Sequence, residues 1–295
     1  MTSLPRHKPD PIPAIHPLPE FAATGARKAV YEDTKAALGV PWMGVVTMAF
    51  SHYPAFYAAL WSAVGPLVRT AEFGAACRDL RAVAEAQADG LDIADLGPAL
   101  RSKGYSAREL DDVRASIEVF SAGNMPYVLI ASLARSLLAG GSLATGRPTV
   151  MESPPPVAAR LVLLERHHAD APTVAIYDDI QATLGLPFVN TDYRALARWP
   201  TYFATAWTDL KTAIVAPGYE ARVAAVHDEA MRLVGALPDV GGLRPETLQA
   251  AARADAPDET VVATVELFQW LLPGLVVNVA GLRRQLQESS AGPMD

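Results

Sequence analysis

The chain has 295 residues, of which 51% are apolar and 19% charged, and a formal net charge of -7. Such a composition folds around a buried core, and it lacks the clustered Lys and Arg that nucleic acid or an anionic membrane requires. Its single cysteine, Cys77, excludes an internal disulfide, a Cys-x-x-Cys redox pair and a thiolate-rich zinc site, and suits a reducing cytoplasm.

In chain order, residues 1–28 read as a proline-rich arm, and Met1 to Pro19 are too broken by prolines and charges for a secretory leader. Residues 29–139 form a first helical repeat. In it, Gly39-Val40-Pro41 is a helix stop, Ala71 to Ala86 has amphipathic helical spacing, and Met125 to Leu138 is strongly apolar but interrupted by Arg135. Residues 140–175 read as a linker with one short helix, carrying Pro148, Pro154-Pro155-Pro156 and Glu165-Arg166-His167-His168. Residues 176–288 form a second repeat, with a stop at Gly185-Leu186-Pro187, amphipathic spacing in Arg222 to Leu237, and an apolar run from Leu267 to Leu282. That run is shorter than the roughly 20 residues a bilayer needs, so both apolar runs are expected as buried core helices and no membrane association is expected. Residues 289–295 are a tail. No stretch shows sustained strand-like alternation, so the expected fold class is all-α.

The chain matches itself at an offset of 146: Tyr31 to Trp61 aligns without a gap on Tyr177 to Trp207, and ten of 31 positions are identical. The identities include Tyr31/Tyr177, Gly39/Gly185, Pro41/Pro187, Pro54/Pro200 and Trp61/Trp207, types that set structure. Units this small bury their apolar faces poorly alone, so the two are expected to pack about a pseudo-twofold axis with a pocket between them.

Differences between the copies mark candidate chemistry. Asn190, Thr191 and Asp192 stand where the first copy has Gly44, Val45 and Val46. Read alone, Asn-Thr-Asp is a helix cap. The first copy builds the same helix without the acid, however, and an ionisable group added to an apolar surface carries a desolvation cost that function would explain. Asn124 lies in an apolar run whose counterpart is Leu271 or Leu272, and either serves a site or repairs the helix beside Pro126. Trp42, Tyr127, Phe188 and Phe268 are core or pocket wall. His167-His168 lacks partners at ligand spacing, so no metal site is expected, and neither a nucleotide-binding glycine motif nor a serine-hydrolase elbow is present.

The duplicated Tyr-acid-Asp…Pro-aromatic pattern, Gly123-Asn124-Met125-Pro126-Tyr127, and Asp-Tyr-Arg-Ala-Leu-Ala-Arg-Trp-Pro at Asp192 to Pro200 resemble the group I 2-haloacid dehalogenases over residues 29 to 288. The resemblance implies an all-helical fold of two pseudo-symmetric repeats and a hydrolase that needs no cofactor. In it Asp192 is the base that activates a water to attack C2 of a short 2-haloalkanoic acid, expelling halide with inversion, and Asn124 helps hold that water. Amides around Asn190, Thr191 and Asp192 then take the substrate carboxylate, and Trp42, Val45, Tyr127 and Phe268 form an apolar wall. Thr70 matches a family threonine, but the glutamate four residues on falls at Gly74, with Glu72 two places short. Asparagine at position 190 matches D-specific members, its bulk obstructing the L enantiomer. A homodimer is compatible with the resemblance. The alternatives are a dehalogenase that accepts both enantiomers and a non-catalytic organic-acid carrier of the same fold; an alkylhydroperoxidase-like protein would need a cysteine pair.

Overall fold

The computed structural model describes residues 4–146, 148–149 and 161–287; Pro154-Pro155-Pro156 and the 289–295 tail lie outside them. Among the described residues there are twelve α-helices and no strand. They are α1 (Gly25–Leu38), α2 (Val45–Phe50), α3 (Pro54–Leu67), α4 (Ala71–Asp89), α5 (Gly97–Ser102), α6 (Ala107–Leu138), α7 (Ala171–Leu184), α8 (Thr191–Leu196), α9 (Pro200–Val215), α10 (Tyr219–Ala236), α11 (Pro245–Asp255) and α12 (Asp258–Arg284).

The helix boundaries follow from local chemistry. Gly39 and Gly185 end α1 and α7 in the left-handed conformation, at φ 65° and 64°, which a side chain would oppose. Ser106 and Glu109 close a reciprocal capping box on α6. Asp170 accepts from the Thr173 amide at 2.9 Å and starts α7 at Ala171, five residues before the boundary at 176 placed from the sequence.

Helices α6 and α12 pack on each other through the centre of the molecule. Both are long and apolar enough to cross a membrane, yet 83% and 67% of their most apolar windows are buried inside the protein. Each continues past an internal proline, Pro126 in α6 and Pro273 in α12, at the cost of one helical hydrogen bond apiece. The halves repeat their fixing hydrogen bonds at the 146-residue offset. Tyr31 Oη donates to the Leu18 carbonyl as Tyr177 Oη does to that of Leu164, and Trp61 Nε1 donates to Asp33 as Trp207 Nε1 does to Asp179.

The arm is docked. Arg6 donates through Nε to the Trp270 carbonyl at 2.9 Å and through Nη1 to Glu220 at 2.6 Å, while Lys8 lies over the Trp270 ring. Farther along, Glu20 accepts from Lys35 and from the Met43 amide. The arm thus ties α10 and α12 to the first half.

Candidate active site

Asp192 is the second residue of α8, which follows a sharp turn from the left-handed Gly185, and its side chain faces α6. Asn124, in the middle of α6, donates through Nδ2 to Asp192 Oδ1 at 2.6 Å. The pair is sealed, with Asp192 2% and Asn124 4% exposed. Burial pushes the Asp192 carboxyl up to about 6, against the opposing pull of the Asn124 hydrogen bond, its own backbone amide and the nearby Arg194. Arg194 does not neutralise it directly, because its guanidinium binds Glu165 at 2.6 and 2.8 Å. The Asn124 Nδ2 is directed at Asp192, and Asn190, at the N-cap of α8, makes no side-chain capping bond.

Trp42 and Tyr127 meet as adjoining buried rings, 6.0 Å between centroids. Tyr127 Oη accepts from the Gly44 amide at 2.9 Å and donates to the Trp42 carbonyl at 2.8 Å, which pins the turn before α2 against α6. Only glycine fits at position 44, where a Cβ would lie 2.7 Å from the tyrosine ring. Val45 opens α2 half-buried. Thr191 opens α8 buried, its hydroxyl accepting from Arg194 Nη2 at 3.3 Å. Phe268, on α12, packs edge-on against Phe50 at 5.8 Å. Thr70 caps α4: its hydroxyl donates to the Leu67 carbonyl and accepts from the Phe73 amide. Glu72 accepts from the Thr149 amide.

No family model matches the chain. An (R)-2-haloacid dehalogenase from Rhizobium sp. (strain NHG3) is 46% identical over 248 residues, which cover 83% of this chain and 96% of that protein. The chain belongs to the 2-haloacid dehalogenase family. A second (R)-2-haloacid dehalogenase, from Pseudomonas putida, is 35% identical over 281 residues, 92% of each chain. Among solved structures, that of a D-2-haloacid dehalogenase with L-LA superimposes with a TM-score of 0.86 at 32% identity, covering 96% of this chain and all of that one.

Within this haloacid dehalogenase fold a cavity of about 70 Å3 borders the α8 turn, lined by Asn190, Tyr219, Asn278, Leu271, Gly274 and Arg6 among others. Asp192 and Asn124 do not line it. Tyr219 Oη donates to Asn278 Oδ1 at 2.7 Å, and Asn278 Nδ2 donates to Tyr193 Oη at 3.0 Å, next in sequence to Asp192. These polar residues escaped sequence reasoning, although a signal was there: at the same offset of 146, Tyr219 and Tyr193 replace Phe73 and Thr47. Arg6 carried no signal, because nothing in the sequence pairs it with Trp270 or Glu220.

Proposed function

We propose that the chain hydrolyses short D-2-haloalkanoic acids to 2-hydroxy acids and halide, with inversion at C2, through a water activated by Asp192. The observation that carries this reading is the buried Asp192–Asn124 hydrogen bond, the meeting of the two polar exceptions found in otherwise apolar positions. Repeat 1, residues 29–139, contributes the amide and repeat 2, residues 176–288, the acid.

The carboxylate takes a proton from water as the water oxygen bonds to C2, and the halide departs from the opposite face with the carbon-halogen electron pair. Direct displacement inverts C2 and forms no ester. General base catalysis contributes about 10²- to 10⁴-fold, and alignment of water, C2 and leaving group supplies the remainder. An acceptor held at about 6 by burial is better matched to neutral pH than one at the ordinary aspartate value. Thr191 and the neighbouring amides take the substrate carboxylate, and Trp42, Val45, Tyr127 and Phe268 face the halide and C3. Phe268 is held in place by its edge-on packing on Phe50, and Thr70 fixes the start of α4.

Asn190 sets the hand of the substrate by occupying the volume that the α-substituent of an L acid requires. Incubation with D- and L-2-chloropropionate tests the reading: chloride release from the D acid is expected, and release from neither would overturn it. Asp192→Asn is expected to abolish turnover with the helical circular dichroism intact. Asn190→Ala is expected to admit the L acid, and a variant that stays D-only would refute the steric account.

A further inference from the structure

Two carboxamides, one from each central helix, reach α8, and only one of them bonds to the acid. The ion pairs Glu118–Arg283 and Glu266–Arg135 exchange partners between α6 and α12, which sets the offset between these helices at 148 residues. Asn278 of α12 then matches Ile130 of α6, a polar exception of the same kind as Asn124 against Leu272. Its side chain is 1% exposed and engaged at both ends: Oδ1 accepts from Tyr219 Oη at 2.7 Å, and Nδ2 donates to Tyr193 Oη at 3.0 Å. Tyr219 has a single proton to give, so its bond fixes which end of the amide faces Tyr193. Ile130 offers nothing of the kind, and Thr47, the counterpart of Tyr193, donates within its own helix to the Gly44 carbonyl.

Helix α8 has six residues, too few to hold their shape in water without tertiary ties. Asn124 ties Asp192 to α6 through Oδ1. Successive residues of an α-helix point about 100° apart around its axis, so this tie alone leaves α8 free to rock about the Asn124 contact. Tyr193, the next residue, takes up that freedom. Its ring packs edge-on against Trp207, whose Nε1 donates to Asp179, and its hydroxyl is held by Asn278. Two ties from different helices, on neighbouring side chains, define the rotation of α8. That rotation aims the carboxylate, and where alignment dominates, a misplacement of about 1 Å can cost about 10²-fold in rate.

We infer that Asn278 is a positioning residue for the proposed reaction: through Tyr193 it sets the rotation of α8 and holds the Asp192 carboxylate in register with Asn124 and the attacked carbon. Its hydrogen bonds go to Tyr193 and Tyr219, not to the acid. The assignment rests on Asp192 as the base and extends that reading to α12. The same tie keeps α8 closed over the carboxyl, so loosening it admits water and relieves the burial that raises the titration of Asp192.

Tyr193→Phe removes the acceptor with little change of shape, and Asn278→Leu removes the donor. Each is expected to lower kcat/KM for D-2-chloropropionate about tenfold at pH 8, and the double variant to lose no more than either alone, because both delete one tie. In each, the midpoint of the pH profile is expected to move about one unit below 6 as water reaches the carboxyl; Arg194, bound to Glu165, is untouched by both substitutions. Tyr31→Phe is the control, since it removes a buried phenol hydrogen bond from the other half. It is expected to lower stability while leaving rate and midpoint in place. If Asn278 only stabilised the fold, Tyr193→Phe would behave as Tyr31→Phe does, and that result, or losses that add in the double variant, would remove Asn278 from the reaction. Carbon-13 NMR titration of the Asp192 carboxyl reads the same shift without turnover. A wild-type chain inert toward both 2-chloropropionates would sink the dehalogenase reading, whereas an unmoved Asp192 titration in Tyr193→Phe would sink the tie.

Discussion

Raising the Asp192 carboxyl from its ordinary value of 3.8 to about 6 affects rate and stability in opposite directions. As the proposed base it must be ionised, so kcat/KM for D-2-chloropropionate is expected to fall tenfold per pH unit below about 6 and to level off above it. A profile flat down to pH 4.5 would remove Asp192 from the rate law. For stability the sign is reversed. Above the folded value the native state carries a buried charge that the unfolded chain carries freely in water, so stability is greatest below about 4 and is lost as pH rises through about 6. Asp192→Asn is therefore expected to stabilise the protein at pH 8 by up to about 3 kcal/mol, and to have no such effect near pH 3.5, in denaturant unfolding. The direction of this shift was not legible in the sequence, because it depends on how completely α6 and α8 close over the carboxylate. That Asp192 and Asn124 stand out against apolar counterparts was legible, and that they meet was implied by the family resemblance.

At the scale of elements, helix ends were the most readable features and contacts between distant segments the least. Gly39 and Gly185 stop their helices where the Gly-x-Pro pattern placed the breaks, because the left-handed turn is a local property of glycine. The start of α7 at Ala171 fell inside the expected linker, since the Asp170 cap was masked by the polar run before it. Thr70 illustrates the limit of reading a single matched residue. Its hydroxyl already makes two hydrogen bonds at the head of α4. Thr70→Ala is expected to cost about 1 kcal/mol in a urea titration, the worth of a helix cap, and Thr70→Ser to restore it. A fall in turnover of Thr70→Ala well beyond its loss of stability would place the threonine among the substrate-binding residues.

Across the whole molecule, two halves with shared fixing bonds differ in what they bury. The first half fills its turn with Trp42 and Tyr127; the second leaves a cavity and places an acid beside it. Comparing aligned positions revealed the acid but not the cavity, because an unfilled space arises from several side chains at once and from an arm 214 residues away in sequence. The asymmetry has a thermodynamic reason. Asp192 is tolerable because α6 supplies the Asn124 amide, whereas the α12 position that matches Asn124 in the repeat is Leu271 or Leu272, and the position that matches the acid is the 2%-exposed Val46. Val46→Asp would bury a carboxylate without that donor, and at pH 8 it is expected to lose about 3–5 kcal/mol, recovering much of it as the pH falls and the acid is protonated. Combined with Asp192→Asn, it is expected to release no chloride, since an acid alone does not hold a water in line with C2. Recovery of turnover in that double variant would show that the reaction needs only a buried carboxylate, and would refute the division of labour between the halves.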